Sequence, residues 1–275
     1  MTASKRDSGV ASPAFDRFAA AAVAPYGVWM ALMFALPAAG WAYAVRSAAT
    51  AAMLAAAWLV LRRVKSPGPD CLTSSPDGPS PSPGGQTPSP DGPHPSPGGL
   101  ISSPDGRTSS PDGRTVFGLS TSLLVGLVVA FVWIWPERFE WYCAYLTIGG
   151  GSSASGASPY SPDVCGWPLT IARLVGSAFI IAPAEELFFR SFLYRRLIST
   201  DWRTVPPRRF DLSAVVWSVA LFALEHDRIV VAAFAGAAYL AVYMRFGLAA
   251  AAISHSVTNF ALGVYVIVTG SWCFW

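Results

Sequence analysis

The sequence predicts an all-α fold, a polytopic membrane bundle of about seven transmembrane helices. Hydrophobic residues make up 53% of the chain and charged residues only 13%, whereas charged residues are about 25% of a soluble domain. The apolar residues fall in runs of roughly 15 to 25, long enough to cross a hydrocarbon layer of about 30 Å as helices. Helices satisfy their own backbone hydrogen bonds in lipid, so these runs favour helices over barrel strands.

The N-terminal region, residues 1–65, is predicted to hold a polar tail and two spans. The first apolar stretch covers 19–45 and the second covers 47–61, ended by Arg62, Arg63 and Lys65. A signal peptide is the competing interpretation of the first stretch. That stretch exceeds the 7 to 15 apolar residues of a signal peptide, so a retained span is expected.

Residues 66–115 form a different kind of segment, rich in proline, serine, glycine and aspartate. Ser-Ser-Pro-Asp-Gly occurs at 74–78, 102–106 and 109–113, and Pro-Ser-Pro-Gly-Gly at 81–85 and 95–99. Few apolar residues are available for burial, and proline and glycine disfavour helix and sheet. The segment is therefore predicted to be a disordered repeat linker.

The remaining chain, 116–275, is predicted to be the membrane core. Its five apolar stretches are 116–135, 169 to about 198, 212–226, 229–244 and 248–268. The loop before the second of these contains Cys143 and Cys165, which could form a disulfide in an oxidising compartment.

Charge placement predicts the orientation in the membrane. The segment 190–209 contains six arginines but one acid, Asp201, and the positive-inside rule places such a segment in the cytoplasm. Counting seven spans then places the N-terminus in the cytoplasm and the C-terminal Trp275 at the outer interface. No basic cluster is dense enough to predict nucleic-acid binding.

Two adjacent carboxylates, Glu185 and Glu186, lie inside the fourth predicted span. Ionisable groups at membrane depth are costly, and they usually face a protein interior and carry function. Glu186 and Arg190 are four residues apart and can form an ion pair along one helix face. Glu185 lies about 100° away around the helix, which leaves it free to act as a general base.

The later spans contribute His226, His255 and Asn259. At about 1.5 Å per residue, Glu185 and His226 both lie roughly 20 Å from the predicted cytoplasmic end of their helices, and the other two at a similar level. His255 and Asn259 are four residues apart, so two donors share one face and could stabilise an oxyanion. His226 could orient the water molecule that attacks the substrate. Without a recognisable Ser or Cys nucleophile, water-mediated hydrolysis fits better than covalent catalysis.

Zinc is the competing chemistry. Glu185, His226 and His255 offer three donors, the number that a catalytic zinc site uses. However, no His-Glu-x-x-His motif is present, and Glu186 has Arg190 as a partner. The sequence favours a metal-free site, with zinc as the alternative.

Three ordered motifs resemble the CPBP family of CAAX prenyl proteases type II and their bacterial Abi relatives. The motifs are Glu185-Glu186-x-x-x-Arg190, Phe222-x-x-x-His226 and His255-x-x-x-Asn259, within 169–275. The resemblance implies a glutamate-dependent intramembrane endopeptidase with its catalytic residues in the last four helices. Glu185 and His226 would activate water, His255 and Asn259 would bind the oxyanion, and Glu186 and Arg190 would support the helix.

The resemblance extends to a bacterial CAAX protease-related subgroup that occurs with exosortase/PEP-CTERM sorting systems. It implies a multi-pass protein of the bacterial cytoplasmic membrane that acts on a membrane-associated or lipidated substrate. Glu225 and Asp227 flank His226, where the family usually has more apolar neighbours. Two alternatives stay open, a catalytically silent immunity-type protein that binds a partner, and a transporter. The transporter is less favoured because the sequence shows no inverted repeat.

Overall fold

The computed structural model describes residues 16–62, 113–139 and 158–275, and its regular structure there is entirely helical. The predicted all-α membrane bundle is confirmed. Seven helices build the described part of the chain: α1 Arg17–Ala35, α2 Gly40–Leu61, α3 Gly113–Ile134, α4 Trp167–Ile198, α5 Leu212–Leu224, α6 Ile229–Phe246 and α7 Leu248–Thr269. Single helical turns lie at Trp135–Arg138, Pro162–Cys165, Trp202–Thr204 and Trp272–Phe274.

Six of these helices are long and apolar enough to cross a membrane, and α5 is the shorter exception. Its 13 residues span about 20 Å, less than the roughly 30 Å of a hydrocarbon layer. The predicted span 212–226 also ends two residues later than α5, which ends at Leu224. The helix ends at Leu224 because four consecutive polar residues follow it, beginning with Glu225 at the C-cap.

The boundary between the first two spans also differs from the prediction. The chain leaves α1 at Leu36, whose backbone is extended. A residue that precedes proline is disfavoured in the helical region, and Pro37 is next in sequence. Residues 40–45, predicted to end the first span, instead begin α2.

Arg46 fixes the resulting α1–α2 hairpin. Its side chain is 2% exposed, and its guanidinium donates to the carbonyl oxygens of Leu32 at 3.0 Å, Leu36 at 2.5 Å and Pro37 at 3.0 Å. These carbonyls lie at and beyond the last turn of α1, where no intrahelical N–H can reach them all. The Leu32 carbonyl also accepts from the Leu36 N–H at 3.1 Å, so the guanidinium chiefly supplies a donor to the carbonyls of Leu36 and Pro37, and the three carbonyls together satisfy the buried cation.

Helices α3 and α7 pack at very short range. A Cβ atom at Gly126 would lie 2.5 Å from the carbonyl oxygen of Ser254. The Ser254 hydroxyl donates to the Ser122 carbonyl at 3.0 Å, and the Thr258 hydroxyl donates to the Gly126 carbonyl at 2.9 Å. Small residues and interhelical hydrogen bonds of this kind drive helix association in lipid.

Arginines collect at one end of the bundle. The guanidinium of Arg203 lies over the ring of Phe18 at the start of α1, while Arg195 near the end of α4 donates to the carbonyls of Val205 and Arg203. At the opposite end, Arg228 pairs with Glu137 and donates to the Cys273 carbonyl. We name the end that contains Arg195 and Arg203 the basic end.

Several sequence predictions fall outside the described residues. These are the repeat linker up to residue 112, the N-terminal tail up to residue 15, the basic residues Arg63 and Lys65, and the Cys143 partner of the predicted disulfide.

Candidate active site

Helix α4 carries both candidate glutamates and departs from regular α-helix on each side of them. π-Helical segments at Ser177–Ile181 and Leu187–Tyr194 flank the α-helical segment Ala182–Glu186. Pro183 has no N–H and cannot close the usual bond to the preceding turn. The neighbouring Ala182 N–H instead donates five residues back, to the Ser177 carbonyl. Such π segments are frequent at functional sites.

Glu186 lies at the centre of a buried ion network. It is fully buried, and its Oε2 is 3.1 Å from Nε of Arg190, so the structure contains the predicted i,i+4 ion pair. The N–H of Arg190 is not aligned for a hydrogen bond there, so the contact is an ion pair. The Nη2 atom of Arg190 also donates to the Gly236 carbonyl at 3.2 Å. The other carboxylate oxygen of Glu186, Oε1, lies 2.9 Å from Nδ1 of His255.

His255 joins both glutamates. Because carboxylate oxygens accept, Nδ1–H of His255 donates to Glu186, and this contact fixes the orientation of the ring. Its Nε2 then faces Glu185, 3.7 Å from Oε2. The Glu185 side chain is 13% exposed, and its Oε2 is buried without a hydrogen-bond partner. At 3.7 Å the two atoms are too far apart for a direct hydrogen bond, and a bridging water molecule would satisfy both.

The ring of Phe222 brings His226 into the same cluster. Its centroid lies 4.8 Å from the His226 ring and 5.9 Å from the His255 ring. The guanidinium of Arg190 is 4.4 Å from the same centroid. Nδ1–H of His226 donates to the Phe222 carbonyl at 2.8 Å, which leaves Nε2 of His226 as its second polar atom.

Asn259 lies one turn beyond His255 on α7 and also faces α4. Its Nδ2 donates to the Ser177 carbonyl at 3.1 Å, the same oxygen that accepts the π-helical bond from Ala182. The structure thus brings Glu185, Glu186, Arg190, His255 and Asn259 to the α4–α7 interface. His226 reaches the cluster through Phe222.

Other residues of this region carried a weaker sequence signal. Tyr239 stacks on His255 with ring centroids 4.5 Å apart, and a Cβ at Gly236 would lie 2.9 Å from Phe222 Cδ1. The run Ala-Gly-Ala-Ala at 235–238 suits close helix packing, but it does not identify Phe222 as the partner. Tyr26 of α1 donates its hydroxyl hydrogen to Glu225. Nothing in the sequence links these two residues, which are 199 positions apart.

A catalytic zinc ion would need at least three donors close together. Within residues 16–62, 113–139 and 158–275, no three His, Cys, Asp or Glu side chains are grouped so that they could hold a metal ion. Nδ1 of both His226 and His255 is occupied by a protein acceptor. The metal-free site stays a prediction, with zinc as the alternative, and a chelator tests it.

Comparison with known proteins locates the family signal in the second half of the chain. Residues 167–261 match the family model described as type II CAAX prenyl endopeptidase Rce1-like. No curated protein and no solved structure shows detectable similarity to the chain. The matched region contains all six candidate site residues and supports an intramembrane protease of the CAAX type. The similarity of residues 167–261 is therefore to the CAAX protease family.

Proposed function

We propose that the protein is an intramembrane endopeptidase that hydrolyses a peptide bond of a membrane-associated or lipidated protein. The observation that carries this proposal is the buried contact of His255 with both Glu185 and Glu186 at the α4–α7 interface. Buried charges of this kind are expensive unless they are paired. Their position inside the region that matches the endopeptidase family connects the cluster to peptide hydrolysis.

The proposed oxyanion role of His255 requires a proton on both of its ring nitrogens. Two carboxylates and the single guanidinium of Arg190 leave one negative charge uncompensated in a buried site. An imidazolium at His255, held by Glu186 through Nδ1–H, neutralises that charge. Its Nε2–H is then a donor that can bind the oxyanion of a tetrahedral intermediate.

In the proposed reaction, Glu185 removes a proton from a water molecule that His226 helps to orient. The water oxygen attacks the carbonyl carbon of the scissile bond, and His255 and Asn259 stabilise the negative oxygen that forms. The proton held by Glu185 passes to the amide nitrogen as the C–N bond breaks, giving a carboxylic acid and an amine. Glu186 and Arg190 keep His255 and α4 in position.

We further propose that the protein resides in the bacterial cytoplasmic membrane with its N-terminus in the cytoplasm. The support is the collection of arginines at the basic end, where α1 begins and α4 ends. Action together with an exosortase-type sorting system stays a prediction from the sequence resemblance.

Replacement of the proposed base tests the function. Glu185→Gln removes the proton acceptor but keeps the side-chain volume, so cleavage should fall by about 10²- to 10⁴-fold. The measurement compares C-terminal peptides of the membrane proteome between cells with the natural chain and cells with Glu185→Gln. Asp201→Asn is the matched control, because that carboxylate is exposed and outside the cluster.

The same experiment can contradict the proposal. If cells with Glu185→Gln contain the same cleaved C-terminal peptides in the same amounts as cells with the natural chain, Glu185 is not the base. A biological phenotype that survives both Glu185→Ala and Asn259→Ala would favour a partner-binding protein instead.

Metal dependence has a separate test. A metal-free carboxylate mechanism predicts that a strong zinc chelator leaves cleavage by the reconstituted chain unchanged, because no step needs a Lewis acid. The measurement is the cleavage rate of a substrate found in the proteome comparison, with and without chelator. Loss of activity that added zinc restores would contradict the metal-free proposal.

A further inference from the structure

A groove of about 720 Å³ lies at the basic end, away from the candidate active site. The start of α3, the end of α6 and the start of α7 form its walls, and the segment between α4 and α5 contributes Arg208. Ile253 of α7 lines the groove, whereas His255 faces α4. Two residues along a helix correspond to about 200° of rotation, so the groove and the active site use opposite faces of α7.

Two cations of the groove have no acidic partner among the described residues. Arg208 and Arg245 are exposed, and Arg245 lies over the ring of Phe246 with 4.9 Å to its centroid. The described acids near this end are engaged elsewhere. Asp201 pairs with Arg203, Asp211 caps α5 by accepting from the Ala214 N–H, and Asp16 caps α1. The described lining residues of the groove therefore include two cations and no acid.

The rest of the groove is apolar and open to the surroundings of the bundle. Phe117 is 61% exposed, Leu119 47% and Ile253 36%. In a membrane these outward side chains contact acyl chains. Ala249 and Ala250 in the first turn of α7 also line the groove, and the positive end of the helix dipole adds to the potential of the arginines.

We propose that this groove binds an anionic phospholipid. Its phosphate lies between Arg208 and Arg245, and an acyl chain lies along Phe117 and Ile253. A positive site beside a lipid-facing apolar wall matches an anionic amphiphile, and basic pockets between transmembrane helices bind such headgroups. A zwitterionic lipid has no net charge to balance the two arginines. The proposal is independent of the peptidase activity.

Native mass spectrometry of the purified full chain tests the proposal, using phosphatidylglycerol and phosphatidylcholine as separate probes. The natural chain should retain phosphatidylglycerol in preference to phosphatidylcholine. Each arginine near the surface contributes a factor of about five, so Arg208→Gln with Arg245→Gln should weaken phosphatidylglycerol binding roughly 25-fold. Phosphatidylcholine binding should stay the same.

Two further variants make the result interpretable. Arg62→Gln with Arg196→Gln removes the same charge outside the groove, and it should leave phosphatidylglycerol binding within about twofold of the natural chain, because those residues do not line the site. Arg208→Lys with Arg245→Lys keeps the charge and should retain most of the binding, which separates charge loss from misfolding.

Several outcomes would overturn the proposal. Equal losses in the groove variant and the Arg62/Arg196 control would show a diffuse surface charge effect. No preference for phosphatidylglycerol would remove the lipid as the occupant. Displacement of the lipid by a peptide with a free C-terminal carboxylate, but not by its amidated form, would assign the groove to a peptide.

Discussion

Glu186 has both carboxylate oxygens committed to protein partners, whereas Glu185 has one oxygen near His255 and no hydrogen bond. This difference separates two adjacent residues of the same type by role. A carboxylate whose oxygens are occupied is suited to holding its neighbours in place. A carboxylate with an unpaired oxygen is suited to exchanging a proton.

Neutralising Glu186 should therefore destabilise the protein as well as inactivate it. Glu186→Gln leaves the buried guanidinium of Arg190 without its counter-ion, a change that costs about 3 to 5 kcal/mol. The measurement is the free energy of unfolding in detergent micelles, together with the cleavage rate. Glu185→Gln is the matched variant and should lose activity with a smaller stability loss. Equal stability losses would contradict the division of roles.

At the scale of helices, the contact between α3 and α7 holds in place the helix that carries part of the candidate site. α3 precedes the region that matches the family, yet it packs within hydrogen-bonding distance of the helix that carries His255 and Asn259. The contact depends on Gly126, because a side chain there would meet the backbone of α7. Backbone atoms cannot move aside as a flexible side chain can.

Adding one methyl group at this contact should separate the two helices. Gly126→Ala places a Cβ 2.5 Å from the Ser254 carbonyl oxygen and 2.7 Å from Val257 Cβ, and overpacking of this kind typically costs about 1 to 3 kcal/mol. Thermal unfolding measures the loss. Gly27→Ala is the control, because nothing lies within 4 Å of a Cβ there and alanine favours a helix interior by up to about 1 kcal/mol. A Gly126→Ala protein as stable as the natural chain would exclude the tight contact.

At the scale of the whole molecule, the sequence predicted what depends on local periodicity and composition. The apolar runs predicted the membrane helices, and the four-residue spacing predicted the Glu186–Arg190 ion pair, which the structure contains. Contacts between helices were harder to predict from the sequence. The spacing of His255 and Asn259 predicted a shared face, but not that His255 meets Glu186 or that Asn259 meets the Ser177 carbonyl. Those contacts depend on packing and on the π segments, which periodicity does not encode.

Orientation in the membrane gives a prediction for the whole molecule. Arginines at the basic end should remain in the cytoplasm, so the C-terminus should lie on the outer side. A reporter fused after Trp275 measures this: alkaline phosphatase, which is active only outside the cytoplasm, should be active. A fluorescent protein that matures only in the cytoplasm should stay dark at the same position. The reverse pattern would invert the proposed topology.

The buried Arg46 has a consequence for how the chain enters the membrane. An arginine at the centre of a single helix costs about 2.5 to 3.5 kcal/mol to insert, and Arg46, the seventh of the 22 residues of α2, carries an unfavourable cost below that value. The three carbonyls that accept from its guanidinium belong to the end of α1 and the turn after it, which leave the ribosome first. We expect α1 and α2 to enter the bilayer as one preassembled hairpin. Damage to the 36–39 turn would therefore appear as a failure of membrane insertion before any effect on the active site.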